Sequence, residues 1–133
     1  MAGREEQIEG VVRGAAEALN RGDLDAFIAF TDPDVEFTSL IAEVEGETYR
    51  GHEGIRRWWR DVREAFVDAR WTYEEIHGAG DAGFARVRIG GTLSGVPVEQ
   101  AMWQAFRLRG DLASWWAFYR SEDEAREAVG MAR

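Results

Sequence analysis

Residues Gly83–Arg120, GFARVRIGGTLSGVPVEQAMWQAFRLRGDLASWWAFYR, decide the fold. The stretch reads as three consecutive antiparallel strands, Gly83–Thr92, Val96–Arg109 and Leu112–Ser121. Leu93-Ser94-Gly95 and Arg109-Gly110-Asp111 separate them, and a glycine in each turn supplies the positive φ that tight hairpins need. Side chains alternate between faces along a strand. Centring the first hairpin near Ser94 sets Arg88 opposite Gln100, Arg86 opposite Met102 and Phe84 opposite Gln104. Centring the second on Gly110-Asp111 sets Phe106 opposite Trp115 and Met102 opposite Tyr119. One face then carries Phe84, Arg86, Arg88, Gln100, Met102, Gln104, Phe106, Trp115 and Tyr119. The other carries Ala85, Val87, Ile89, Ala101, Trp103, Ala105, Trp116 and Phe118. The register carries the whole division, because a slip of one residue exchanges faces.

Upstream lies material suited to cover such a sheet. Ile8, Val11, Val12, Ala15, Ala16 and Leu19 recur at helical spacing over Glu5–Asn20, with Gly22 as C-cap. Asp23 is placed to cap a short helix with Leu24, Phe27, Ile28 and Phe30 on its apolar side, closed by Pro33. A strand follows at Val35–Leu40, then an acidic loop at Ala42–Glu47. A third helix opens at Gly51-His52-Glu53, with His52 as its cap, and runs to Val67. It buries Ile55, Trp58 or Trp59, Val62 and Phe66, and Arg56, Arg57, Arg60 and Arg63 form a solvated outer face. A strand at Ala69–His77 and a tail helix at Glu122–Val129 complete the chain. His77 falls beside a turn, which predicts exposure. Helices followed by a meandering sheet define an α+β fold in one domain spanning 1–133, with the sheet curved into a cone around a pocket.

Composition narrows the function. The chain has 133 residues, 16 basic and 25 acidic, for a net charge of −9. A general nucleic-acid binder needs a basic surface, so that class is excluded. There is no cysteine, hence no disulfide, thiol nucleophile or thiolate metal site, and every basic residue is arginine, which removes Schiff-base chemistry. His52 and His77 are too far apart in sequence for a close-spaced zinc motif, and no apolar run suits a membrane span. The expectation is a cytoplasmic protein with no metal and no cofactor.

Several segments carry a family resemblance: Ala18-Leu19-Asn20-Arg21-Gly22-Asp23-Leu24-Asp25, Asp34-Val35-Glu36-Phe37, Tyr49-Arg50-Gly51-His52-Glu53-Gly54-Ile55, Ser94-Gly95-Val96-Pro97-Val98-Glu99 and Phe106-Arg107-Leu108-Arg109-Gly110-Asp111. In these the chain resembles the SnoaL-like branch of the nuclear transport factor 2-like superfamily, which includes ketosteroid isomerases, polyketide cyclases and limonene epoxide hydrolase. The resemblance implies a cystatin-like cone with an internal pocket for a small apolar or aromatic molecule. It also implies a homodimer through the outer sheet face, which the aromatic face with Trp103, Trp116 and Phe118 would suit.

The superfamily's chemistry carries over poorly. Ketosteroid isomerases use an Asp base late in the first strand, a Tyr on the first helix and a protonated Asp on the fifth strand. The matching positions here are Thr38, Ala15 and Gln104, of which Gln104 keeps a hydrogen-bond donor. The Asp-Arg-Asp set of limonene epoxide hydrolase and the sheet Asp of the cyclases have no counterpart. The remaining catalytic candidates are Glu36 as general base and Tyr119 as donor or weak acid. The candidate ligand contacts are Ala15, Thr38, Trp59, Phe84, Arg86, Arg88, Gln100, Met102, Gln104 and Trp115. Arg86 and Arg88 have two readings: a clamp for a carboxylate at the pocket mouth, or ion pairing near the strand edge with Glu74, Glu75 or Glu99. The expected function is binding of a small, largely apolar molecule with a polar or anionic handle; the leading class is a cofactor-free cyclase, isomerase or hydratase, and the competing class a non-catalytic binding or accessory domain. A third, a protein-interaction module, would need a free outer sheet face.

Overall fold

A computed structural model of the chain describes residues 3–38 and 48–131. The elements run α1 (Arg4–Asn20), α2 (Leu24–Ile28), β1 (Thr31–Thr38), β2 (Thr48–Arg50), α3 (Gly51–Ala65), β3 (Arg70–Ala79), β4 (Ala82–Leu93), β5 (Val96–Arg109), β6 (Leu112–Tyr119) and α4 (Glu122–Ala128). They build an α+β fold with one curved, unclosed six-stranded sheet, ordered β2-β1-β6-β5-β4-β3. β1 and β6 pair in parallel; the other neighbours are antiparallel. The expected meander of the last four strands is present. The short strand β2 is an addition, and the Ala42–Glu47 loop and the end of the first strand at Leu40 lie outside the described residues.

Local chemistry sets the helix ends. Gly22, at φ 73°, closes α1 through its N–H to Leu19 O, and Asp23 N–H continues the cap to Ala18 O. Asp23 then caps α2 by accepting from Ala26 N at 3.1 Å. α2 stops at Ile28, before Pro33, which sits within β1 at a break in the ladder between Thr31 and Glu36. A residue without an N–H is tolerated at such a break. α3 ends at Ala65 and has no side-chain cap at its start; His52 Nε2 lies instead 3.3 Å from Thr31 O, tying α3 to β1.

The helices cover one face of the sheet. Asn20 at the end of α1 exchanges two hydrogen bonds with the Trp71 backbone, at 2.8 and 2.9 Å. At the other end Arg4 reaches Asp81 and the Gly110 carbonyl, both at 2.8 Å. The main core lies between these helices and the sheet: Phe37 stacks on Trp116 at 4.5 Å and meets Trp58 edge-on at 5.6 Å. Such aromatic pairs add about 0.5–1.5 kcal/mol each beyond the area they bury. α4 lies on the opposite face, packing Ala125 and Val129 against Phe84 and Ala105.

The strand register corrects the expected division of faces. Leu93 pairs with Val96, so the first hairpin turns on two residues, Ser94 and Gly95, both at positive φ. Arg86 therefore lies opposite Trp103, Arg88 opposite Ala101 and Phe84 opposite Ala105. In the second hairpin the expected turn is present, with Arg109 paired to Leu112, but a bulge at Ser114 shifts the ladder beyond Arg107. Trp103 consequently faces Tyr119, and Gln104 faces Phe118. The two slips move the β4 and β6 residues to the opposite side relative to those of β5. The helix-covered inner face carries Ala85, Val87, Ile89, Gln100, Met102, Gln104, Phe106, Trp116 and Phe118. The outer face carries Phe84, Arg86, Arg88, Ala101, Trp103, Ala105, Trp115 and Tyr119.

Candidate functional site

The inner face and the helices border a half-open cavity of about 60 Å³. α1 contributes Val11, Val12, Ala15 and Leu19; α2 and its exit contribute Phe27, Phe30 and Thr31. Trp58 of α3, Trp71 and Tyr73 of β3, and Gln104, Phe106 and Leu108 of β5 form further walls, closed by Ala113, Trp116 and Phe118 of β6. The alternation of each strand aims these residues inward: Trp71 and Tyr73 are two apart, as are Gln104, Phe106 and Leu108, and Trp116 and Phe118.

The lining is aromatic and nearly free of polar groups. The Thr31 hydroxyl donates to Ile28 O at 2.7 Å. The Tyr73 hydroxyl donates to Gln104 Oε1 at 2.7 Å. Gln104 is 6% exposed, and its Oε1 is occupied by Tyr73. Its amide nitrogen has no hydrogen-bond partner among the described residues and is not sealed off, on a residue that lines the cavity. Burial pushes the Tyr73 phenol well above its ordinary value, an effect that the Gln104 hydrogen bond opposes only in part. Tyr73 is thus a neutral donor at physiological pH. It is the single ionisable residue among the described residues that line the cavity.

Two of the sequence candidates come together here, Ala15 and Gln104. Met102 is buried on the inner face and Gln100 is half-buried there, but neither lines the cavity. Trp59 packs behind the wall, 6.0 Å from Trp58 and 6.2 Å from Trp71. The others point away. Glu36 aligns with outward-facing Trp115 and pairs with Arg50 at 3.1 Å, its side chain 47% exposed, so it is no base for the cavity. Thr38 follows it on the same face, because Val35 and Phe37 take the inward positions of β1. Tyr119 and Trp115 stand on the outer face; burial, then the charge of Glu124, raises the Tyr119 phenol. Phe84 lies under α4, with Arg126 4.4 Å above its ring. Arg88 pairs with Glu99 at 2.6 Å and Glu74 at 3.4 Å, and Arg86 with Glu74 at 3.5 Å. Both arginines are thus edge-paired on the outer face, away from the cavity. His77, expected to be exposed, stacks half-buried on Phe84 at 4.9 Å.

Sequence reasoning missed Tyr73, Trp71, Trp58, Phe30, Trp116 and Phe118 as lining residues. The spacing of Trp71 and Tyr73 carried the signal for β3.

Comparison with known proteins agrees with this architecture. The family model of the SnoaL-like domain matches residues 12–123, and the chain belongs to that family. A search of curated proteins gave no match. Among solved structures, a nuclear transport factor 2-like protein of unknown function from Burkholderia pseudomallei superimposes with a TM-score of 0.75 at 20% identity, over 91% of this chain and 95% of that one. A protein provisionally named a polyketide cyclase, from Xanthomonas campestris pv. campestris, gives 0.72 at 19% identity, over 92% and 96%. A protein of ketosteroid isomerase-like fold from Catenulispora acidiphila, in complex with trimethylamine, gives 0.70 at 22% identity, over 91% and 92%. At these identities the likeness establishes the fold. Among the described residues no helix is long and apolar enough to cross a membrane.

Proposed function

We propose that this chain is a small-molecule-binding protein whose inner cavity takes a neutral, largely apolar molecule with one hydrogen-bond acceptor, such as a ketone oxygen. The observation that carries the reading is the Gln104 amide, held by Tyr73 at 2.7 Å on a residue that lines an aromatic cavity. An amide donor with no partner among the described residues, set in an apolar lining, is one that a ligand or water can complete. A carboxylate handle is disfavoured, because no cation among the described residues lines the cavity to offset its desolvation.

Binding without turnover is the reading favoured here. The described lining has no carboxylate or imidazole, and Tyr73 is a poor base with its phenol held protonated. The same pair supports a second reading: Tyr73 polarises the Gln104 amide, and that amide could polarise a carbonyl in a metal-free cyclisation or isomerisation. The relative provisionally named a polyketide cyclase is in keeping with this chemistry. A homodimer through the outer sheet face belongs to the proposal as well, supported by half-buried Trp103, Trp115 and Tyr119 beside α4.

Thermal unfolding with acetophenone and with benzoate tests the binding claim. A ligand at a hundredfold excess over its Kd stabilises the native state by about 2.7 kcal/mol. Acetophenone should raise Tm, benzoate should not, and Gln104→Leu should lose most of the response. Equal stabilisation by both compounds, or an unchanged response in Gln104→Leu, would refute the role of the amide.

A further inference from the structure

A cavity of about 60 Å³ lies well below the roughly 300 Å³ of a drug-sized site. Phe30 is one of the side chains that bound it. Phe30 follows α2 and lies between two buried residues of the core, Ile28 and Thr31, yet it is itself half-exposed. Its backbone is fixed at both ends: its N–H donates to Phe27 O at 3.0 Å, and its carbonyl accepts from Ala113 N of β6 at 2.8 Å. Its ring crosses from there to α1 and rests on Gly14. A Cβ at position 14 would stand 2.7 Å from Phe30 Cζ and 3.0 Å from Cε1, closer than carbon atoms approach. The missing side chain of Gly14 is therefore the seat of the ring, and the ring closes the wall between β6 and α1.

We propose that Phe30 is the specificity gate of the cavity: seated on Gly14 it limits the size of ligand the cavity admits, and its removal admits larger ones. The inference rests on the reading of the cavity as a binding site. Only the side chain has to move, because the backbone hydrogen bonds of Phe30 are independent of its rotamer. Among the other walls, Trp58, Trp71 and Trp116 are held in aromatic packing with one another or with Phe37.

The test uses two neutral aryl ketones with the same acceptor, acetophenone and 2-acetylnaphthalene, titrated calorimetrically into wild type, Phe30→Leu and Phe30→Ala. Phe30→Leu keeps apolar cover over the cavity should the alanine variant fold poorly. Wild type should bind the one-ring ketone at least tenfold tighter than the two-ring ketone. The two-ring ketone should gain affinity stepwise through Leu and Ala, by at least tenfold in total, while acetophenone stays within about threefold. Acetophenone binding with no gain for the larger ketone in either variant overturns the gate and leaves the binding reading standing. Equal losses for both ketones make Phe30 an ordinary packing residue and overturn the gate. If neither ketone binds any of the three proteins, the binding reading falls and the gate falls with it.

Discussion

The Tyr73 hydroxyl of β3 donates to Gln104 Oε1 of β5 at 2.7 Å, reaching across the intervening strand β4 on the inner face of the sheet. Tyr73 aligns with Val87, and Val87 with Met102, so Gln104 sits one inward position further along β5. The bond crosses above β4 beside Ala85 and Val87, two small side chains that leave it room.

Replacing Tyr73 by Phe leaves the Gln104 oxygen without its donor. The expected cost is about 1–3 kcal/mol at pH 7, read from urea unfolding. The variant should also lose a pH dependence. The folded phenol is raised above its unfolded value of 10.0, so its contribution is complete below pH 10 and declines above it, as the unfolded chain releases a proton that the native state retains. Wild type should lose stability above pH 10 more steeply than Tyr73→Phe. Parallel curves would show that this phenol is not buried as described.

Glu36→Gln and Arg88→Met should leave ketone binding unchanged. Glu36 pairs with Arg50, and Arg88 with Glu99 and Glu74, all on the outer face. Exposed pairs of this kind contribute little to stability. A tenfold loss of affinity in either variant, measured by calorimetry, would move the site to the wrong face of the sheet.

Gly83→Ala should destabilise the protein. Its Cβ would run into the His77 carbonyl and stand 2.7 Å from Phe106 Cζ, and backbone cannot yield as a flexible side chain can. Overpacking of this kind costs about 1–3 kcal/mol, or more. Chemical denaturation of the variant checks it, and an unchanged midpoint would contradict the close approach of β3, β4 and β5 here.

The homodimer calls for a mass measurement by light scattering at micromolar concentration. Twice the chain mass is expected, with Trp103→Arg shifting the population to monomer. A wild-type monomer would mean that α4 alone suffices to cover the outer aromatic face.

The sequence carried the architecture well and the site less well, for definite reasons. Hairpin turns, helical periodicity and the Asp23 and Gly22 caps are local signals, and the α+β order of elements followed from them. The faces of the sheet depended on register, which two small features controlled. Ser94 takes a positive φ alongside Gly95, making the turn two residues long; serine rarely announces that conformation. The bulge at Ser114 has no compositional mark, since its residue is neither Gly nor Pro. Each displaced one ladder by a single residue, and that sent Arg86, Arg88, Trp115 and Tyr119 to the wrong side. Gln104 and Ala15 line the cavity, whereas Thr38, matched by the same resemblance, faces outward.

The most direct test of the account is the side-chain amide resonance of Gln104, followed by NMR as acetophenone is added. If the ketone oxygen accepts from this amide, its proton signals shift downfield and saturate together with the binding isotherm, and they do so only weakly with benzoate. If acetophenone binds while the Gln104 amide signals stay in place, the ligand lies elsewhere, and the cavity is a packing void of the core.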